Sequence, residues 1–184
     1  MFRQRIFTFL GIGLAALILG SAALAGTITA SATVSGAGSI ALSNGATASL
    51  TSTLDGTDQA VSYTVPLTLT DARGSGAGWN LTLTSTTFDD GAGHTLATSA
   101  STIASVAMAC IGGNSCTSAT NSITYPLTIP AAASAPAAVK VFNSAANTGM
   151  GRLTITPTVN VAIPGNSYAG TYTSTLTVAA VSGP

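Results

Sequence analysis

Glutamate is missing from this chain, and histidine and tryptophan occur once each, as His94 and Trp79. Charged residues make up only 5% of 184 positions. Beyond Arg3 and Arg5 the cations are Arg73, Lys140 and Arg152, set against Asp55, Asp58, Asp71, Asp89 and Asp90. So few cations form no basic patch for nucleic acid or anionic lipid. The scarcity of charge does not signal disorder, because disordered chains are usually charged and poor in β-branched residues, whereas Thr, Val and Ile abound here and favour strands. The catalytic inventory is equally thin. One histidine permits at most one Ser–His pairing, and no GxSxG elbow is present. Asp89 and Asp90 are adjacent, so on an extended chain they point to opposite faces and serve poorly as an acid–base pair. No enzyme, cofactor or metal is expected. FDDGAGH (88–94) and DGTD (55–58) offer oxygen ligands for a cation, but neither matches a defined calcium loop, and both read as polar turns between strands.

Cysteine is limited to Cys110 and Cys116. Without histidine partners they make no zinc site, and their spacing is wide for a redox motif. In an exported protein they are expected to form a disulfide that staples the IGGNS turn, worth about 2 kcal/mol in the chain-entropy picture.

Export is expected from the N-terminus, MFRQRIFTFLGIGLAALILGSAALAG. Arg3 and Arg5 form a basic start, Ile6 to Leu19 is nearly all apolar, and Ala23-Leu24-Ala25 offers a small-x-small cleavage site. Residues 1–25 therefore read as a secretory signal peptide, with an uncleaved anchor as the other reading. No other segment is long and apolar enough to span a membrane, so none is expected in the mature chain. Residues 26–184 suit one domain with a core of its own.

Alternation with period two dominates the mature part. VSYTVPLTLT (61–70) sets Val61, Tyr63, Val65, Leu67 and Leu69 on one face, with Pro66 implying an edge or an irregular ladder. SITYPLTI (122–129) groups Ile123, Tyr125, Leu127 and Ile129. LTITPTVNVAI, from Leu153, and TYTSTLTV, from Thr171, alternate likewise. Shorter candidates are Thr27–Val34, Ser39–Ser43, Leu81–Thr86, Ser105–Cys110 and Val139–Phe142. Turn signals separate them, among them Asn44-Gly45, Asp55-Gly56, Gly112-Gly113 and Pro164-Gly165. AAASAPAA (131–138) has the alanines for a short helix, interrupted by Pro136. The expected fold is all-β: a β-sandwich of short, mostly antiparallel strands, or a barrel-like variant.

In GAGWNLTLT (76–84), Trp79, Leu81 and Leu83 share a face opposite Asn80, Thr82 and Thr84, which places Trp79 with the core. Asn80-Leu81-Thr82 also fits a glycosylation acceptor pattern, inside an expected strand. DARGSGAGWNLTLT, with its Trp79-Asn80-Leu81, and YTSTL near the C-terminus, with Tyr172 and Leu176, together resemble the WxL domain of bacterial cell-surface proteins. That family carries a Trp-x-Leu motif and a distal Tyr-x-x-x-Leu motif. The aspartate and glycine-rich lead-in, the signal peptide and the terminal proline agree with it. The resemblance covers roughly the whole mature chain. Two features depart from it: Val178 stands in the region where relatives commonly place a second tryptophan, and the cysteine pair is no part of the motif.

The resemblance implies non-covalent attachment to bacterial cell wall, through peptidoglycan or other surface proteins, and a location at the cell surface. No sorting motif with an apolar tail and basic end is seen, in keeping with that expectation. The motif residues Trp79, Leu81, Tyr172 and Leu176 are expected to close the fold or to bind. Asp71, Arg73, Gly76, Gly78 and Asn80 form a candidate binding loop beside the outward Thr/Asn rows, since glycans are met by neutral hydrogen-bonding groups and aromatic faces. The alternative is a structural subunit of an extracellular fibre, matrix or surface layer. It would assemble through an edge strand or a donated segment such as TITASATV.

Overall fold

Threonine and β-branched residues in alternation build two sheets. The computed structural model describes residues 31–36, 38–44 and 48–184. The expected signal peptide, its expected cleavage site and the start of the expected Thr27–Val34 strand lie outside them. Ser31 to Gly36, within the described part, form no strand. Val34–Pro184 belong to one compact unit.

The larger sheet runs β1 (Ile40–Asn44), β3 (Leu67–Asp71), β9 (Gly151–Ile163), β5 (Ser101–Cys110), β6 (Leu127–Thr128), with β2 (Gln59–Thr64) also paired to β9. The smaller sheet centres on β4 (Trp79–Thr86), flanked by β10 (Leu176–Ser182) on one side and by β7 (Ala131–Ala132) and β8 (Val139–Ser144) on the other. All pairings are antiparallel except the short β4–β7 contact. The expectation of a mostly antiparallel all-β sandwich is met.

The expected strand over 61–70 is split. Thr64 opposes Thr158 and Leu67 opposes Ile155, so the register is unchanged across the gap. Val65 still donates to Pro157 O at 2.9 Å. Pro66 and Pro157 both lack an N–H, and their coincidence leaves the ladder incomplete there. The core lies between the sheets. Leu67, Leu69, Ile103, Leu153, Ile155 and Val159 from one meet Trp79, Leu81, Leu83, Val141 and Phe142 from the other. Each fully buried side chain of this size contributes about 2 kcal/mol by its removal from water.

Three local expectations are corrected. SITYPLTI contains only the two-residue β6. Pro126 and Pro130 deprive it of ladder donors, and side-chain amides take their place: Ser122 N–H donates to Asn143 Oδ1 at 2.8 Å, and Asn143 N–H to Asn121 Oδ1 at 3.0 Å. The alanine-rich 131–138 segment forms no helix; it supplies β7 and then a loop. The C-terminal strand begins at Leu176, later than Thr171, and runs on to Ser182.

β4 also departs from a strand buried on one face only. Asn80 and Thr84, on the face opposite its leucines, are buried too. The loop after β7 covers its second face: Thr84 Oγ1 donates to Pro136 O at 2.8 Å. The Thr/Asn row expected to face outward on this strand is therefore covered at Asn80 and Thr84, while Thr82 stays partly exposed.

Candidate functional site

Two places gather the sequence-predicted site residues, and they differ in what their polar groups are doing. The first surrounds Trp79. Its side chain is 0% exposed, stacked on Phe142 at 5.6 Å between ring centres. Its indole N–H donates to Gly149 O at 2.8 Å. A buried indole needs such a partner, and the turn after β8 provides it. Gly149 has φ +67, and a Cβ there would stand 2.7 Å from Trp79 Nε1, so the seat requires glycine.

The DARGSGAG lead-in wraps this seat. Arg73 Nε donates to Asp71 Oδ1 at 2.9 Å and Nη2 to Oδ2 at 2.8 Å, a bidentate pair. The same guanidinium also donates to Gly78 O at 2.7 Å and to Ser182 Oγ on β10. The Arg73 hydrogen bonds, ahead of burial, which acts the other way, hold the Asp71 carboxyl below the usual range. Asn80 Nδ2 donates to Gly183 O at 2.8 Å. Gly76 and Gly78 are buried, and a Cβ on Gly78 (φ +70) would strike Ser144 O. The loop thus locks the chain before β4 to the end of β10, with the side chains of Asp71, Arg73 and Asn80 bonded within the protein.

The motif strands are neighbours, while the motif residues are spread along them. Ser182 faces Trp79 across the ladder, and Leu176 faces Ser85. Leu176 packs against the main core. Tyr172 lies before β10, in a second cluster with Leu96, Ala100 and Val161. The two aromatic motif residues therefore do not meet, and the joint closure expected of them is made by the strands.

The second place is a cleft of about 260 Å³ lined by His94, Thr95, Asn166, Ser167, Tyr168 and Tyr172, among others. Tyr168 is 63% exposed. Its ring stacks on His94 with 3.8 Å between centres and 18° between planes. His94 Nδ1 lies 2.6 Å from Asp90 Oδ2. That hydrogen bond is the main cause that lowers the Asp90 carboxyl to about 2, so the carboxylate is the acceptor and Nδ1–H the donor. Tyr172 O–H donates to Tyr168 O at 3.0 Å, so the motif tyrosine holds the loop that carries Tyr168. Partial burial first, then the Asp90 charge, raise the Tyr172 phenol above its ordinary value. Sequence reasoning missed Tyr168; the available signal was an aromatic residue inside the loop PGNSYAG, where nothing apolar surrounds it.

His94 and Asp90 form an oriented pair, yet among the described residues no hydroxyl donates to His94 Nε2. The aspartates of both candidate calcium loops already accept from backbone amides, Asp55, Asp89 and Asp90 within their own turns and Asp58 from Gly165 N–H. Asp55 Oδ1 takes Thr57 N–H at 2.9 Å, and Asp90 Oδ1 takes Ala92 N–H at 2.8 Å. Among the described residues no three His, Cys, Asp or Glu side chains converge on one point. Cys110 and Cys116 lie at disulfide distance, Cα to Cα 5.7 Å, at the tip beyond β5.

A larger groove of about 550 Å³ runs between β2 and the approach to β10, lined by Leu50, Tyr63, Val65, Phe88, Tyr172 and Leu176 among others. Among the described residues no helix is long and apolar enough to cross a membrane.

The described residues thus form a two-sheet sandwich in which a buried Trp-x-Leu strand is clamped to a C-terminal strand. The chain belongs to the WxL family: the family model, described as WxL domain surface cell wall-binding, matches residues 28–182. It thereby belongs to a family of cell-surface, cell wall-binding domains, as the two motifs implied. No curated protein and no solved structure matches the chain.

Proposed function

We propose that this protein is exported and held non-covalently at the bacterial cell wall, by peptidoglycan or by another surface protein, in a binding role without catalysis. The observation that carries this reading is the family match over 28–182, which spans both motifs and the clamp between them. The low charge content suits a neutral ligand, since electrostatic steering is weak. The test is co-sedimentation of residues 26–184 with purified peptidoglycan. Enrichment well above that of an unrelated β-sandwich is expected, and enrichment equal to that control sinks the reading.

A second reading, a subunit of a fibre or surface layer, is favoured by one observation. The edge of β2 away from β9 has no strand partner among the described residues, and such edges invite strand addition. Electron microscopy of the mature protein separates the two: ordered polymers support the second, and monodisperse particles at all concentrations remove it.

A further inference from the structure

The two places described above differ in how much of their bonding capacity remains free. Around Trp79 the polar groups are spent on one another: Arg73 serves Asp71, Gly78 and Ser182, and Asn80 serves Gly183. A ligand there would have to break bonds already made, at the cost of leaving buried groups unpaired. In the cleft beside Tyr168 the opposite holds. Among the described residues the side chains of Thr95, Asn166 and Ser167, the Tyr168 hydroxyl and His94 Nε2 make no hydrogen bond within the protein. These groups are neutral donors and acceptors, gathered around one exposed ring.

That ring is held in place beforehand. His94 covers one face of Tyr168 at stacking distance, Asp90 fixes the orientation of His94, and Tyr172 binds the Tyr168 carbonyl. The ring is nonetheless 63% exposed, so much of it is open to solvent. A rigid aromatic with a free surface and neutral polar neighbours is a platform for a flat partner that has apolar C–H groups on one side and hydroxyls at its rim. Pyranose sugars have that character. The cleft contains no lysine or arginine, and Asp90 adds a negative charge beside it. Phosphate-rich or otherwise anionic polymers are therefore disfavoured.

We infer that the Tyr168–His94 cleft is a sugar-docking subsite, which takes a neutral pyranose of the wall glycan by stacking on Tyr168 and hydrogen bonding to Asn166, Ser167 and Thr95. The inference rests on the wall-binding reading for its biological ligand but can be tested apart from it. It also gives the motif residue Tyr172 a second task, as the support of the loop that carries the platform.

The test uses residues 26–184 and two probes: purified peptidoglycan in co-sedimentation, and a soluble N-acetylglucosamine tetramer in an NMR titration. The tetramer should shift the ring resonances of Tyr168 and His94, and glycerol phosphate should not. Tyr168→Ala should weaken both interactions about tenfold, the size expected for loss of an anchoring aromatic, with the melting temperature unchanged because the side chain is exposed. Tyr168→Phe should retain most of the binding, since it keeps the ring. Asn166→Ala should weaken it less than Tyr168→Ala does. If Tyr168→Ala sediments with peptidoglycan as well as the parent and the tetramer shifts neither ring, the subsite is wrong while wall attachment stands. If the tetramer shifts both rings but the parent protein does not sediment, the subsite stands and the wall reading fails. If neither probe binds, both fail.

Discussion

Trp79 shows how a signature residue can be defined by its seat. Its indole is enclosed, stacked on Phe142 and bonded to Gly149 O, so no ligand reaches it in this fold. Trp79→Ala should cost about 3–5 kcal/mol, as large-to-small core changes do, measured by urea denaturation. Wall binding should then fall only in proportion to the folded fraction. A variant that stays fully folded yet loses binding would overturn this assignment. Gly149→Ala should be more damaging than Gly91→Ala. Both glycines have positive φ, but only at Gly149 does the added carbon meet the Trp79 nitrogen and the Ser144 side chain; at Gly91 it meets open space. The strained backbone alone costs about 1 kcal/mol at either site. Asp90 belongs to this scale too. Its carboxyl is lowered to about 2 in the folded protein by the His94 hydrogen bond first, against about 3.9 when unfolded. The stabilisation it gives is present above pH 4 and is lost as pH falls toward 2. Asp90→Asn should remove that part of the acid dependence, seen as a shallower fall in melting temperature between pH 4 and 2.

Among the elements, β4 and β10 are held together by more than their ladder. Arg73 reaches from the end of the β3 region to Ser182 while binding the buried Asp71. Removing one partner of a buried pair leaves the other charge uncompensated, which costs about 3 kcal/mol or more. Arg73→Ala should therefore lower stability by that order and speed hydrogen exchange at Val181 and Gly183, whose amides sit at the clamped end of β10. Faster exchange spread evenly over every strand would instead mean that the clamp is not local. The Cys110–Cys116 link joins the end of β5 to the loop that follows it, away from the Tyr168 cleft lining. Replacing both cysteines with serine should cost about 2 kcal/mol, by the entropy of a short loop, and leave wall binding intact.

For the whole molecule, low charge is the property with the broadest consequence. With 5% charged residues, association with a neutral glycan should change less than about twofold between 0.05 and 0.5 M salt, because screening acts on charge. A steep fall with salt would point to an anionic wall polymer and away from sugar stacking. The two open features, the 550 Å³ groove and the free edge of β2, lie on the same side of the sandwich as Tyr63 and Val65. Tyr172 lines both this groove and the Tyr168 cleft.

Alternation alone determined the fold class, the inward face of nearly every strand and the burial of Trp79, because a period of two leaves a hydrophobic side chain only one face to hide on. The two motifs, read with their lead-in, were enough to name the family. What period two cannot convey is the third dimension. The cover over the second face of β4 comes from a loop some fifty residues away in sequence, and the Arg73 clamp joins positions 73 and 182. Proline positions cut strands that alternate perfectly well, since a missing N–H leaves no trace in hydrophobic pattern. Asp71, Arg73, Gly76, Gly78 and Asn80 look like an exposed polar loop in the sequence, and only folding turned their bonding groups toward one another. Tyr168 and His94 stand far apart in the chain, and only the approach of their two loops made them one surface.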